Sequence, residues 1–238
     1  MLYNHLMNHL DVIKSLKSKA DFQRSKNLAR FFKTGKGQYG EGDKFLGITV
    51  PEQRQVAKKF MDLSLGEIES LLKSEFHECR LTALLILVEK YKNVKKFSDS
   101  KIPKFYLKNI KYINNWDLVD LSSHKILGKY LFDRPRDILY KLVNSKNLWQ
   151  RRIAIVSTAS FIAKSDFKDT LKISEILLLD SHDLIHKAVG WMLREVGKKD
   201  KKSLIMFLDK HYKKMPRTTL RYSIEKLSTV ERCNYLSK

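Results

Sequence analysis

Apolar residues recur along the chain at steps of three and four, the spacing that places them on one face of an α-helix. Leu81, Leu84, Leu85, Val88 and Tyr91 form such a stripe within Cys79 to Tyr91, and similar stripes run through Ile153 to Phe161, Ile173 to Leu179 and Ile185 to Val196. Turn-forming residues separate them at Ser98 to Ser100, Asp133 to Pro135, Ser165 to Asp169, Asp180 to Asp183 and Met215 to Pro216. With only 9 Gly and 4 Pro in 238 residues, the chain lacks the punctuation of a many-stranded β fold. The pattern predicts an all-α protein without a domain linker, one domain over 1–238.

Basic or aromatic residues open comparable helices at Arg80, Trp116, Arg152, Lys187 and Arg221, at intervals of 34–36 residues. That interval suits a two-helix repeat of the HEAT or tetratricopeptide type. Stacked helix pairs wind into a superhelix with a concave face. The expected architecture is a right-handed α-solenoid of HEAT-like repeats, its concave face lined by a basic stripe. The segment Lys33 to Gly42 interrupts the helical pattern with four glycines but lacks the GxxxxGK[ST] phosphate loop. It reads as a connector to a helix starting at Val50-Pro51, with Tyr39 as a residue that could meet a ligand. Glu52, Arg54, Lys58 and Lys59 read as a solvated face of that helix.

Charge narrows the function. Lys and Arg number 47 against 26 Asp and Glu, a formal charge of +21. So large a positive field repels itself and is best neutralised by a polyanion, with nucleic acid the first candidate and an anionic membrane surface the second. Cys79, in an apolar stretch, reads as a small core residue; it and Cys233 suggest neither a disulfide framework nor a zinc site. No segment approaches the length of a membrane span. The expectation is a cytoplasmic protein, in the bacterial cytosol or nucleoid, monomeric and without metal or cofactor.

Candidate chemistry centres on Ile113-Asn114-Asn115-Trp116-Asp117-Leu118-Val119-Asp120. Asn114 or Asn115 can cap a helix beginning near Trp116. Trp116 and Asp120 then share a face at i and i+4, whereas Asp117 is rotated about 100° away and is expected to serve the helix N-terminus. A carboxylate beside an indole can stabilise a cation. In Leu148-Trp149-Gln150-Arg151-Arg152-Ile153-Ala154 two arginines open an apolar helix, and only one of them can face a bound phosphate. In Lys187 to Glu195 and on to Lys198, Lys187, Trp191, Arg194 and Lys198 share a face, and Gly190 suggests that something approaches the helix closely.

Together WDLVD, LWQRRIA and KAVGWMLREVGK, with the later MPRTTLRYSIEKL, resemble the AlkD-type alkylpurine DNA glycosylases of the DNA alkylation repair family, from about Phe45 to the C-terminus. The resemblance implies a HEAT-like fold and excision of bases alkylated at N3 or N7 from double-stranded DNA. It places an active cleft at Trp116, Asp120, Arg152 and Trp191. It implies Asp120, Trp116 and Trp191 as catalytic groups and Arg152 as a DNA contact; the basic helix openings and the glycine-rich segment add Arg151, Lys187, Arg194, Lys198 and Tyr39 as candidate DNA contacts. It further implies contact with the damaged nucleotide's backbone rather than a base pocket. The glycine-rich segment departs from the family's shorter N-terminal region. Two other readings fit the charge: a non-catalytic nucleic-acid-binding helical-repeat protein, and a helical scaffold for acidic partners.

Overall fold

A computed structural model describes residues 7–93 and 100–237, and these are helical apart from turns and one isolated β-bridge, Lys44 with Phe76. Residues 98 and 99 of the expected turn at Ser98 to Ser100 lie outside the described residues. The chain divides into two compact units, 1–122 and 123–238. The first holds α1 (His9–Lys17), α2 (Phe22–Phe31), α3 (Val50–Lys59), α4 (Leu65–Leu72), α5 (His77–Lys92), α6 (Lys101–Lys108) and α7 (Trp116–Ser123). The second holds the short α8 (Lys129–Leu131), then α9 (Asp137–Val143), α10 (Leu148–Ser157), α11 (Ala159–Ile162) and α12 (Lys168–Leu177). It continues through α13 (Asp183–Lys199), α14 (Lys201–His211), α15 (Arg217–Ser223) and α16 (Thr229–Leu236). The all-α expectation holds, and the helix pairs are consistent with an α-solenoid. The boundary between the units falls inside α7. Among the described residues no helix is long and apolar enough to cross a membrane.

Local sequence explains where the helices begin. Thr49 and Glu52 form a capping box at α3, and Pro51 occupies its first turn, where a missing N–H costs nothing. Glu52 is therefore a cap rather than a plain solvated residue. Asn8 and Asp11 cap α1 in the same way. The central helix of the first unit is α5, packed against α1, α3 and α4. Thirteen of its 16 residues are buried, so its stripe has no polar counterface, and Cys79 lies fully inside.

A recurring clamp defines the repeat. Arg80, in α5, donates to the carbonyls of Ser74 (2.9 Å) and Glu75 (3.3 Å), just after α4 ends. Arg151, in α10, donates to Ser145 and Lys146, both at 3.0 Å, just after α9. His186, in α13, reaches the carbonyl of Asp180 after α12 at 2.5 Å. Each side chain ties the start of a repeat's second helix to backbone carbonyls of the turn that follows its first. The positions lie 71 and 35 residues apart. The register read from sequence, with Arg152 and Lys187, is thus one residue late at both later positions. Of two adjacent arginines, only the one facing the preceding turn can close the clamp.

The stripe from Ile153 to Phe161 also proves to be two helices. α10 stops at Ser157, and Thr158 donates its hydroxyl to the Ile155 carbonyl at 2.7 Å. Against that break lies a π-helical turn, His124 to Gly128, where a side chain on Gly128 would sit 2.2 Å from the Ser157 carbonyl.

Candidate functional site

The N-terminus of α7 carries the predicted pair. Asn115 is its cap: its carbonyl accepts from Val119 N–H at 3.2 Å and its side-chain oxygen from Trp116 N–H at 2.8 Å. Its amide donates to Asp43 at 3.1 Å. Trp116 and Asp120, both half-buried, line one cleft of about 400 Å³. The shared face predicted from their spacing is therefore present. Asp117 corrects part of that reading. It does accept from the Leu118 N–H at 2.8 Å, as expected at a helix start, but it also contributes to the cleft wall, with its other oxygen on His77 at 2.8 Å. It is only 6% exposed.

His77 is the hub of a buried network. Its Nε2 faces Asp117, its Nδ1 faces Asp43 at 3.2 Å, and Arg80 donates to the other Asp43 oxygen at 2.6 Å. Two carboxylates and one guanidinium leave one negative charge over, and protonated His77 balances it with both ring N–H groups donating. Burial disfavours that cation, but the charge and hydrogen bond of Asp117 and the hydrogen bond of Asp43 outweigh it. The His77 pKa stands at about 9. Burial pushes Asp43 the other way, yet hydrogen bonding to His77 and the charge of Arg80 hold it below the usual carboxylate range. The network fixes the start of α7 against α5, and with it the bearing of Trp116 and Asp120.

Aromatic rings form part of the same wall, beside Leu28, Ile48, Val50 and Leu121. Trp116 stacks on Phe32 (5.1 Å, 15°), Phe32 on Phe45 (5.0 Å, 22°) and Phe45 on the His77 ring (4.7 Å, 24°). Phe31 meets Trp116 edge-on at 5.9 Å and is 62% exposed. The glycine-rich segment delivers two of these partners, since it ends on Asp43 and on the Lys44–Phe76 bridge that seats Phe45. Beyond it, buried Glu78 accepts from the N–H groups of Leu46, Gly47 and Ile48 at 2.9, 2.8 and 3.2 Å. Gly47 has φ +85°, and a Cβ there would lie 2.1 Å from the Asp21 carbonyl, so only glycine fits.

The remaining predicted residues are placed as follows. Tyr39 lies on the glycine-rich segment, outside the cleft lining, its hydroxyl 3.5 Å from the Phe31 carbonyl. In the second unit, buried Arg152 donates to the Leu184 carbonyl. Arg151 grips Asp180 through Nε at 2.6 Å in addition to its clamp. On α13, Lys187 pairs with Asp183 at 2.8 Å, Arg194 with Glu225, and Lys198 with Glu195 at 2.8 Å. Trp191 is half-buried beside Gly190. What approaches Gly190 is α15: a Cβ there would lie 2.5 Å from Tyr222 Cβ and 2.7 Å from the Thr219 carbonyl. Among the described residues no three His, Cys, Asp or Glu side chains gather as a metal site.

Sequence reasoning missed His77, Asp43, Phe31, Phe32 and Phe45. The Phe31-Phe32 dipeptide before the glycines was the one available signal.

Residues 12–227 match the model of a family described as DNA alkylation repair enzyme. A solved structure described as "Predicted DNA alkylation repair enzyme from Enterococcus faecalis" superposes with a TM-score of 0.70 over 89% of this chain and 98% of that one. Its identity of 16% makes this a likeness of fold. No curated protein matches the chain significantly.

Proposed function

The chain belongs to the DNA alkylation repair enzyme family, and from that premise we propose that it is a glycosylase releasing cationic N3- or N7-alkylated purines from duplex DNA. The observation that carries the proposal is the meeting of the Asp120 carboxylate and the Trp116 indole in one cleft. Alkylation at N3 or N7 leaves the purine positively charged, so the base departs without first being protonated. The C1′–N9 bond breaks heterolytically, and its electron pair neutralises the departing base. The sugar is left as an oxocarbenium-like cation. Asp120 stabilises that cation and accepts a proton from the water that adds to C1′. Trp116, and Trp191 by the family resemblance, offer ring faces to the same charge, worth about 0.5–2 kcal/mol each.

The DNA itself is held by the positive field of the chain, +21 overall. Arg152 and the α13 residues Lys187, Arg194 and Lys198 are the proposed phosphate contacts, with Tyr39 from the first unit. The Lys187 and Lys198 ion pairs are exposed; such pairs contribute about 0–1 kcal/mol, so a phosphate can replace the carboxylate at little cost. Arg151 has a different part. Its bidentate hold on the Asp180 carboxylate makes it a lock between successive repeats; Arg152, itself buried and donating to the Leu184 carbonyl, is assigned to DNA by the family resemblance. A basic concave surface on a right-handed, monomeric solenoid completes the proposal.

The test is to incubate duplex DNA carrying 7-methylguanine with the protein and to measure free base by chromatography. Release from methylated but not from unmodified duplex is expected. Tight binding without release would instead support a non-catalytic DNA-binding repeat protein.

A further inference from the structure

The second unit holds a pocket that the proposed chemistry leaves unused. It has a volume of about 700 Å³ and is lined from α13, α15 and α16. Where the cleft at Trp116 is walled by rings and aliphatic side chains, six residues of this lining carry charge: Asp183, Lys187, Arg217, Arg221, Glu225 and Arg232. The two acids are already matched. Asp183 accepts from Lys187 at 2.8 Å and from the Thr218 hydroxyl at 3.1 Å, and Glu225 is held by Arg194 and by Lys226 at 3.2 Å. The three arginines are not matched. Arg217 donates to a backbone carbonyl, that of Leu236 at 3.2 Å, and meets no carboxylate among the described residues. Arg221 and Arg232 make neither an ion pair nor a hydrogen bond among the described residues.

The fold holds these cations together. Arg217 and Arg221 stand at i and i+4 on α15, one turn apart on the same face. Arg232 comes from α16, which neighbouring side chains tie to α14: Glu231 pairs with Lys201 at 2.6 Å, and the Tyr235 hydroxyl donates to Asp209 at 2.7 Å. Like charges sharing one pocket repel and weaken the compact state, and both acids of the lining are committed elsewhere. An anion entering the pocket relieves that repulsion. The guanidinium fork matches phosphate oxygens two at a time. A duplex carries one negative charge per ~1.7 Å of its axis, so its backbone can bring more than one phosphate to three arginines at once.

We infer that this pocket binds the sugar-phosphate backbone of the duplex beside the lesion, with Arg217, Arg221 and Arg232 as its phosphate contacts. The inference rests on the proposed repair function and extends the DNA track past Lys187 to three residues that have no part in the chemistry. Lys187 stands one helical turn, about 5.4 Å, before Trp191 on α13, so a strand lying along α13 at Trp191 meets the pocket next. Phosphate contacts fix register and orientation without reading sequence. The pocket therefore acts on affinity and on the placement of the duplex, and the bond-breaking step belongs to other groups.

The experiment titrates a fluorescein-labelled, unmodified duplex with the protein by anisotropy over a range of salt. Each phosphate contact contributes about 0.9 to the slope of log affinity against log salt. Arg221→Ala/Arg232→Ala should therefore lower the slope by about 2 and shrink the affinity ratio between about 50 and 200 mM salt roughly tenfold. Both side chains are exposed and unpaired, so the thermal midpoint should stay where it is. Lys168→Ala/Lys172→Ala, on α12, removes the same charge from exposed positions outside the pocket lining and should leave the slope near that of wild type. An unchanged slope in the arginine variant, or an equal fall in the lysine control, would overturn the inference. A polyglutamate peptide bound as tightly as the duplex, and weakened as much by the arginine variant, would also overturn it, by making an acidic protein the occupant. Release of 7-methylguanine by the wild-type protein, run alongside, separates the two claims. Release with an unchanged slope in the arginine variant overturns the backbone pocket alone. A lowered slope without any release overturns the glycosylase reading and supports the pocket.

Discussion

The buried histidine makes the fold's stability depend on pH in a direction that can be worked out. His77 is 2% exposed, with Asp117 and Asp43 on its two ring nitrogens, and its pKa is raised from 6.5 to about 9. A raised pKa means that the folded state holds the proton more tightly than the unfolded chain does. The stabilisation is therefore complete below pH 6.5 and is lost as pH rises through about 9. Its full size is ~3 kcal/mol, declining by about 1.4 kcal/mol per pH unit across that window. Asp43, whose pKa is lowered, acts at the other end: its stabilisation is lost in acid and does not intrude here. Titrating lysines at still higher pH relieves self-repulsion in a chain of charge +21, so the contribution is best read as a difference. Urea unfolding of wild type and His77→Gln, followed by far-UV circular dichroism, should give a wild-type advantage of ~3 kcal/mol near pH 6 that shrinks to a small residue near pH 9.5. A gap that stays constant across the window would refute the charge-balanced network and reduce His77 to a packing residue.

Two further outcomes test how the fold positions the site. Gly190→Ala should destabilise the protein by about 1–2 kcal/mol, because overpacking against Tyr222 and Thr219 costs more than the ~1 kcal/mol of helix propensity it gains; thermal unfolding reads this, and a stabilised variant would contradict the packing of α13 on α15. Glu78→Gln replaces a carboxylate bound to three backbone N–H groups by a side chain with one acceptor atom. A loss of about 2–4 kcal/mol is expected in the same assay.

The parts of this protein legible in its sequence are the local ones. The pairing of Trp116 with Asp120 follows from one helical turn, and the cap at Asn115 lies next to it; both needed only a short window. The long stripes of α5 and α13 announced helices, but α5 is buried on every side, so no face could be read from its pattern. The repeat slipped by one residue because Arg151 and Arg152 are chemically alike in sequence, and only the turn they face distinguishes them. The break at Thr158 was hidden by apolar residues that continue across it. The network behind the cleft was beyond reach for another reason. Asp43, His77 and Asp117 are separated by 34 and 40 residues, and nothing in a single sequence says which acid a given histidine will meet. The glycine-rich segment looked like a connector, and it is one, but its second role is to set Asp43 and Phe45 in place.

The proposed function stands on Asp120 carrying the main part of the chemistry, with the Trp116 ring beside it. Asp120→Asn keeps the side chain's size and removes its charge. Single-turnover release of 7-methylguanine from duplex DNA should fall by about 10²-fold or more, while affinity for the same duplex stays within about threefold, since phosphate contacts set it. Release within a few-fold of wild type would contradict the assignment.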